Sequence, residues 1–182
     1  MSNPRISPAE PPYDPAIAEA FARVMPPGFA PLTLFRIMAR NPRVLERMFA
    51  GSLLDKGTIT ARDRELMILR TCARCGSEYE WGVHVTFFSA KAGLDEGQAA
   101  ATVQDITGGN WNARDRLVLR MADALHETAS VPDALWEELR EEFTGEQLLE
   151  LIALAGYYRT ISYLTNACRI ECEPFAARMN GA

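Results

Sequence analysis

A chain of 182 residues that is 48% hydrophobic and 24% charged can bury one sizeable core, and its composition is that of a single globular domain. A net charge of −5 and a pI near 5.2 exclude the clustered cationic surface with which nucleic-acid binders displace counterions. No apolar run reaches the roughly 18 residues of a membrane span, and MSNPRISPAEPPYDP lacks the apolar core of a signal peptide, so the expected compartment is the cytoplasm.

Residues 1–13 hold four of the eleven prolines and no periodic apolar pattern, which predicts a flexible extended arm, free to lie on a partner subunit, before a single helical domain over 14–182. Asp14-Pro15 reads as an N-cap and first helical position, with Ile17, Phe21 and Val24 on one face until Pro26-Pro27. A short helix follows Pro31, with Leu32, Phe35, Ile37 and Met38 apolar. A third starts at Asn41-Pro42, and Val44, Leu45, Met48, Phe49 and Leu53 carry its helical spacing to Gly57. Thr60 with Asp63, and Ser77 with Glu80, fit capping boxes that open two amphipathic helices separated at Gly76. After Gly93, the Asp95-Glu96 turn opens a short helix that Gly108-Gly109 breaks. Asn112 with Asp115 caps a longer one through Leu125, Pro132 begins a modest one with Leu135 and Leu139 on one side, and Thr144 with Gln147 caps LLELIALAGYYRTISYLTNACRI. No segment alternates with period two, so the fold class is all-α, a bundle of about eight or nine helices.

ARDRELMILR at 61–70 and ARDRLVLRMADAL at 113–125 echo one another, each opening a helix after a turn. A duplicated helical unit would give this pattern, and so would two capped helices with common surface residues. Leu148, Leu149, Leu151, Ile152, Leu154, Tyr157 and Tyr158 cover more than one stripe of the final helix, more apolar surface than one contact face requires, which predicts a homo-oligomer.

The chemistry-bearing stretch is Thr60 to Gly93. Glu80 and His84 lie four apart on one helix, so their side chains share a face one turn apart. A carboxylate beside an imidazole raises its pKa and orients its ring, which suits a proton shuttle near neutral pH. Glu65, from the preceding antiparallel helix, can supply the second carboxylate that separates acid and base roles, and Tyr79 and Trp81 lie close enough to wall a pocket. The plainer account makes Ser77 and Glu80 a helix cap and His84 a packed core residue.

Cys72-Ala-Arg-Cys75 is the rival constellation, because Cys-x-x-Cys is a redox spacing. It lies in the last turns of its helix, where the dipole disfavours a thiolate, and this favours a structural or pocket-lining role for Cys72, which shares a face with Glu65. Cys168 and Cys172 have the spacing of a metal pair but no further ligand follows, so they read as small buried hydrophobes. His126 stands alone beside Glu127. With no glycine-rich phosphate loop, Ser-His-Asp order or dinucleotide fingerprint, neither metal nor organic cofactor is expected.

Glu65, Ser77-Glu-Tyr-Glu80 and His84, followed by AKAGLDEGQ and WNARDRLVLRMADAL, resemble the carboxymuconolactone decarboxylase family, which includes the alkylhydroperoxidase AhpD, over roughly Phe35 to Cys172. In AhpD-like members a glutamate is followed by Cys-x-x-Cys-x-x-x-His at a helix N-terminus. Glu65 matches the glutamate and His84 the histidine, Tyr79 falls where a relay histidine can occur, and Ser77 and Glu80 stand where the two cysteines would be. The resemblance therefore implies an AhpD-like all-α fold, trimers or hexamers with sites near subunit interfaces, and the decarboxylase branch that uses no cysteine. The expected function is a cofactor-independent lyase or isomerase with Glu65, Glu80 and His84 as acid–base residues, acting on a small carboxylated or lactone-type molecule. Its alternatives are a thiol peroxidase using Cys72 and Cys75, and a non-catalytic oligomeric binding protein of the same fold; on any of these readings the expected assembly is a dimer, trimer or hexamer.

Overall fold

The computed structural model describes residues 4–104 and 106–179, which form nine α-helices and two short 3-10 turns, with no strand among them. The helices are α1 (Pro15–Val24), α2 (Thr33–Met38), α3 (Pro42–Ala50), α4 (Ala61–Arg74), α5 (Glu78–Phe88), α6 (Glu96–Ala101), α7 (Ala113–Thr128), α8 (Asp133–Glu142) and α9 (Gly145–Cys168). Among the described residues no helix is long and apolar enough to cross a membrane.

Local chemistry accounts for most helix starts. Asp14 and Asn41 accept from the backbone two and three residues on, each with proline at the next position, and capping boxes form at Thr60/Asp63, Asp95/Gln98, Asn112/Asp115 and Thr144/Gln147. Three expectations fail, and the first concerns the helix opened at Asp95, which stops at Ala101, short of Gly108-Gly109. The third helix stops at Ala50 instead of reaching Gly57, because Gly51 ends it and the chain turns back with Leu53 at φ 51°, so that Leu53 and Leu54 still reach the core from a loop. Ser77 makes no capping hydrogen bond: it is fully buried and its hydroxyl pairs with that of Thr165 on α9 at 2.8 Å.

Helix α4 is the central element, packed by α5, α7 and α9, and its four consecutive residues Leu66 to Leu69 have no exposure at all. A helix buried on every side needs apolar residues all round, which is how α4 reads there. Its polar ends are locked to α7. Arg62 binds both oxygens of Asp115 at 2.9 Å, Arg114 binds both oxygens of Asp63 at 2.9 Å, and further along Arg70 grips Asp123 and Arg74 reaches Glu127 at 2.7 Å. These pairings run start to start and end to end, so α4 and α7 are parallel. The repeated Ala-Arg-Asp-Arg is thus two helix starts, the first arginine of each binding the aspartate that caps the other.

Two extended segments strap the bundle. Residues 4–13 lie on their own chain: the Arg5 amide donates to Cys168 O at 2.8 Å, the Ala9 amide to Arg36 O at 2.9 Å, and Arg40 Nε to Ser7 O at 2.8 Å. Residues 170–179 cross α5 at Gly82, where a Cβ would come within 2.2 Å of the Ala177 carbonyl, so only glycine admits the crossing.

Candidate active site

Three helices converge on one imidazole. From α5, His84 places Nδ1 2.7 Å from Glu65 Oε2 on α4 and Nε2 3.0 Å from the Tyr158 hydroxyl on α9, with Glu80 Oε1, one turn back on α5, 3.5 Å from Nε2. All four side chains are buried. The second oxygen of Glu65 accepts from Arg64 Nε at 3.2 Å, and Arg64 Nη1 also donates to the Leu54 carbonyl at 3.1 Å, so the loop after α3 and the start of α4 together fix the carboxylate. Glu80 Oε2 is buried without a hydrogen-bond partner.

Burial alone would lower the His84 pKa, but the charge and hydrogen bond of Glu65, followed by those of Glu80, outweigh it and raise the value to about 9. At neutral pH the ring is therefore an imidazolium, donating from Nδ1 to Glu65 and from Nε2 toward Tyr158. Burial, then the Glu80 and Glu65 charges, push the Tyr158 hydroxyl well above its ordinary value, so it remains a proton-bearing donor.

Glu80, His84 and Tyr158 open onto a cavity of about 290 Å³ walled by apolar side chains of α2, α3, α5 and α9, among them Leu34, Phe35, Phe49, Val83, Phe88 and Ile161. Glu65 stands behind the imidazole and is not among the lining residues. A larger cleft, about 710 Å³, lies between α1 and α3, but its charged groups Glu19, Arg23 and Glu46 are exposed and none approaches another ionisable group except the Glu19–Arg23 surface pair.

The other sequence candidates lie elsewhere. The Tyr79 hydroxyl donates to Glu173 at 2.6 Å and accepts from the Leu34 amide at 3.1 Å, joining the segment after α9 to the start of α2. Trp81 Nε1 donates to Thr102 Oγ1 at 2.9 Å. Neither ring is part of the cavity wall, nor are Ser77 and Cys72. Burial pushes the Cys72 thiol well up and the half-buried Cys75 thiol up, while Cys75 Sγ sits 3.7 Å from His126 Nδ1. His126 is itself held below its usual pKa, by burial and then by Arg159 and Arg74. The described residues contain no cluster of three or more His, Cys, Asp or Glu side chains able to hold a metal.

Tyr158 is the site residue that sequence reasoning missed, since it counts there only as part of the apolar surface of the final helix. Its signal was a hydroxyl in the middle of the most apolar helix, where a buried O–H must find a partner.

Residues 40–124 match the model of the carboxymuconolactone decarboxylase family. Among solved structures the chain is similar to the AhpD-core, peroxidase-related protein from Ralstonia eutropha JMP134, with a TM-score of 0.85 at 19% identity, covering 96% of this chain and 94% of that one. It is similar to a peroxidase-related protein from Silicibacter sp. TM1040 at 0.80 and 17%, covering 96% of both chains, and to the debrominase Bmp8 at 0.69 and 16%, covering 93% and 92%. At these identities the likeness is one of fold. No curated protein matches the sequence.

Proposed function

We propose that this chain, whose residues 40–124 match the carboxymuconolactone decarboxylase family model and whose fold is AhpD-like, is a member of that superfamily and an acid–base enzyme acting on a small carbon acid without a cofactor. The observation that carries this reading is the partnerless Glu80 oxygen beside an imidazolium at the wall of an apolar cavity. A carboxylate oxygen with no donor is free to accept a proton from a substrate held beside it.

In the proposed step, Glu80 Oε2 takes a proton from carbon and the electron pair moves onto an adjacent carbonyl oxygen. That oxygen receives a hydrogen bond from the Tyr158 O–H, which the His84 Nε2–H polarises from behind while Glu65 holds the cation in place. Return of the proton to another carbon gives an isomer. Where a carboxylic acid lies β to the carbonyl, Glu80 takes the acid proton as carbon dioxide leaves, the same enolate forms, and Glu80 returns that proton to carbon. Acid, base and orienting groups are all side chains of this chain, so the step calls for no further group.

The test is a panel of β-keto acids and small unsaturated lactones in deuterium oxide, with and without EDTA, read by NMR for deuterium at carbon and for carbon dioxide release. Deuterium incorporation that survives the chelator is expected. A folded protein that exchanges no member of the panel above the buffer rate overturns the reading. Because solved relatives of this fold are peroxidase-related, hydroperoxide turnover with a dithiol is run in parallel. None is expected, since both thiols of the Cys72–Cys75 pair are held protonated, and robust turnover lost in Cys72→Ser would put the thiol reading first.

We further propose that the protein self-associates through the outer face of α9, where Leu149 is 69% and Tyr163 57% exposed. Light scattering is expected to give a mass above the 20.2 kDa of one chain, and Leu149→Glu to lower it. A wild-type protein of one-chain mass at micromolar concentration sinks this.

A further inference from the structure

The cavity is asymmetric in a way that specifies its occupant. At one end stands Glu80, with the imidazolium between it and Glu65, whose outer oxygen is paired with Arg64 behind. An anion placed there would lie against the Glu80 carboxylate, the group of the cluster that lines the cavity without a cation of its own beyond the shared imidazolium, whereas a neutral O–H or acidic C–H would satisfy the partnerless Glu80 oxygen. Along the helix axis α5 finishes at Phe88, and the 3-10 turn Ala90–Ala92, roughly 10 Å further on than His84 at the helical rise, carries Lys91, whose side chain also lines the cavity. Lys91 is exposed, its ammonium 5.8 Å from the Phe88 ring centroid, and Phe88 is 4.9 Å from the His84 ring. Those two steps bound the separation of imidazole and ammonium at about 11 Å. Among the cavity-lining residues Lys91 is the one lysine or arginine, and the walls between the two ends are apolar and aromatic.

Resting on the acid–base reading above, we propose that the substrate is a monoanion with an apolar, flat or short aliphatic body, a neutral proton-donating head at Glu80 and one carboxylate at Lys91. A second carboxylate would sit desolvated among apolar walls without a cation, so dicarboxylates are selected against. The volume agrees: 290 Å³ holds about ten water-sized groups at roughly 30 Å³ each, the bulk of a substituted benzene ring. Since the carboxylate is held at the end away from the base, it is a handle and not the leaving group. The proton shift is then the favoured outcome within the lyase and isomerase range.

The test is binding, measured by calorimetry on the full chain, with four compounds of one skeleton: 4-hydroxyphenylacetate, its methyl ester, phenylacetate and 1,4-phenylenediacetate. The first is expected to bind best. The ester should lose about fivefold, the scale an exposed ion pair supplies, and added salt should shrink that gap. Lys91→Met should bring acid and ester within twofold, and Lys91→Arg should restore the preference. Phenylacetate should lose the contribution of the phenol O–H, and the dianion should bind worst. The proposal is overturned if acid and ester bind alike, if Lys91→Met keeps the preference, if the dianion binds as well as the monoanion, or if the folded protein binds none at tens of millimolar. Binding is read without turnover. Loss of this pattern with proton exchange intact sinks the substrate class alone, and the pattern without exchange sinks the catalytic reading alone.

Discussion

His84→Gln is expected to lower turnover by on the order of 10² to 10⁴, the range that a positioned proton donor or acceptor supplies. Glutamine nearly keeps the volume and can still bridge Glu65 and Tyr158, but it brings no positive charge to polarise the Tyr158 O–H. Glu65→Gln is expected to act similarly through a different cause: the imidazole loses the charge that holds it cationic, and its pKa falls from about 9 toward or below the ordinary value. Tyr158→Phe should cost less, since Nε2 remains to face the substrate oxygen.

The same buried charge leaves a signature in stability. The folded pKa of His84 lies above the unfolded 6.5, so the stabilisation is complete below about pH 6.5 and is lost as the pH rises through 9. At about 1.36 kcal/mol per unit this amounts to a few kcal/mol. The melting temperature of the wild type should therefore fall between pH 6.5 and 9 more steeply than that of His84→Gln. A ring that titrates near 6.5 by NMR, or a His84→Gln enzyme as fast as wild type, defeats the catalytic account.

Asp115→Ala is the second large expectation, and its effect is on the fold. The carboxylate is 2% exposed, binds both Arg62 nitrogens at 2.9 Å and accepts from the Asn112 amide at 3.3 Å, so its removal strands a guanidinium and opens a capping box at once. Breaking a buried pair costs about 3 to 5 kcal/mol. Arg62 keeps 26% exposure and recovers some hydration, which reduces the expected loss to about 2 to 4 kcal/mol. For a domain of this size that is roughly 5 to 15 °C in melting temperature. Asp63→Ala should match it, because Arg114, Thr60 and the helix start stand in the same relation on the other side. The double variant should lose less than the sum, since the two locks brace the same pair of helix ends. A shift under about 2 °C for either single change would show that solvent screens the pairs.

Helix starts were legible because their determinants are local: at Thr60, Asn112 and Thr144 a side chain and the backbone three residues on are enough. Ser77 and Glu80 have the same local pattern, yet the outcome differs. Whether a serine caps or turns inward depends on α9, whose Thr165 lies 88 positions away, and no window of sequence contains that partner. Freed of the cap, Glu80 faces His84, so the site exists where the local rule fails. The Glu65–His84 pair was foreseeable from antiparallel neighbours. Tyr158 was not, since only the crossing of α9 over α4 and α5 decides which of its aromatic residues meets the imidazole. The early end of α3 escaped notice because Leu53 keeps the helical apolar spacing while its backbone sits at positive φ. The repeated Ala-Arg-Asp-Arg was visible as a pattern, but its meaning as reciprocal pairing needed α4 and α7 to be parallel.

The strap over Gly82 sets an order of events during synthesis. α5 is translated by residue 88, but its flank is closed by residues 170–179: the Ala177 amide binds Thr86 Oγ1 at 3.0 Å, the Met179 amide binds Glu78 Oε1 at 3.1 Å, and Tyr79 is tied to Glu173. At about 5 to 20 residues per second, α5 waits several seconds for these partners and for Tyr158. A nascent chain halted between α5 and α9 carries the base and the imidazole without Tyr158 or the strap, and a ribosome stalled there displays a protein with no working centre.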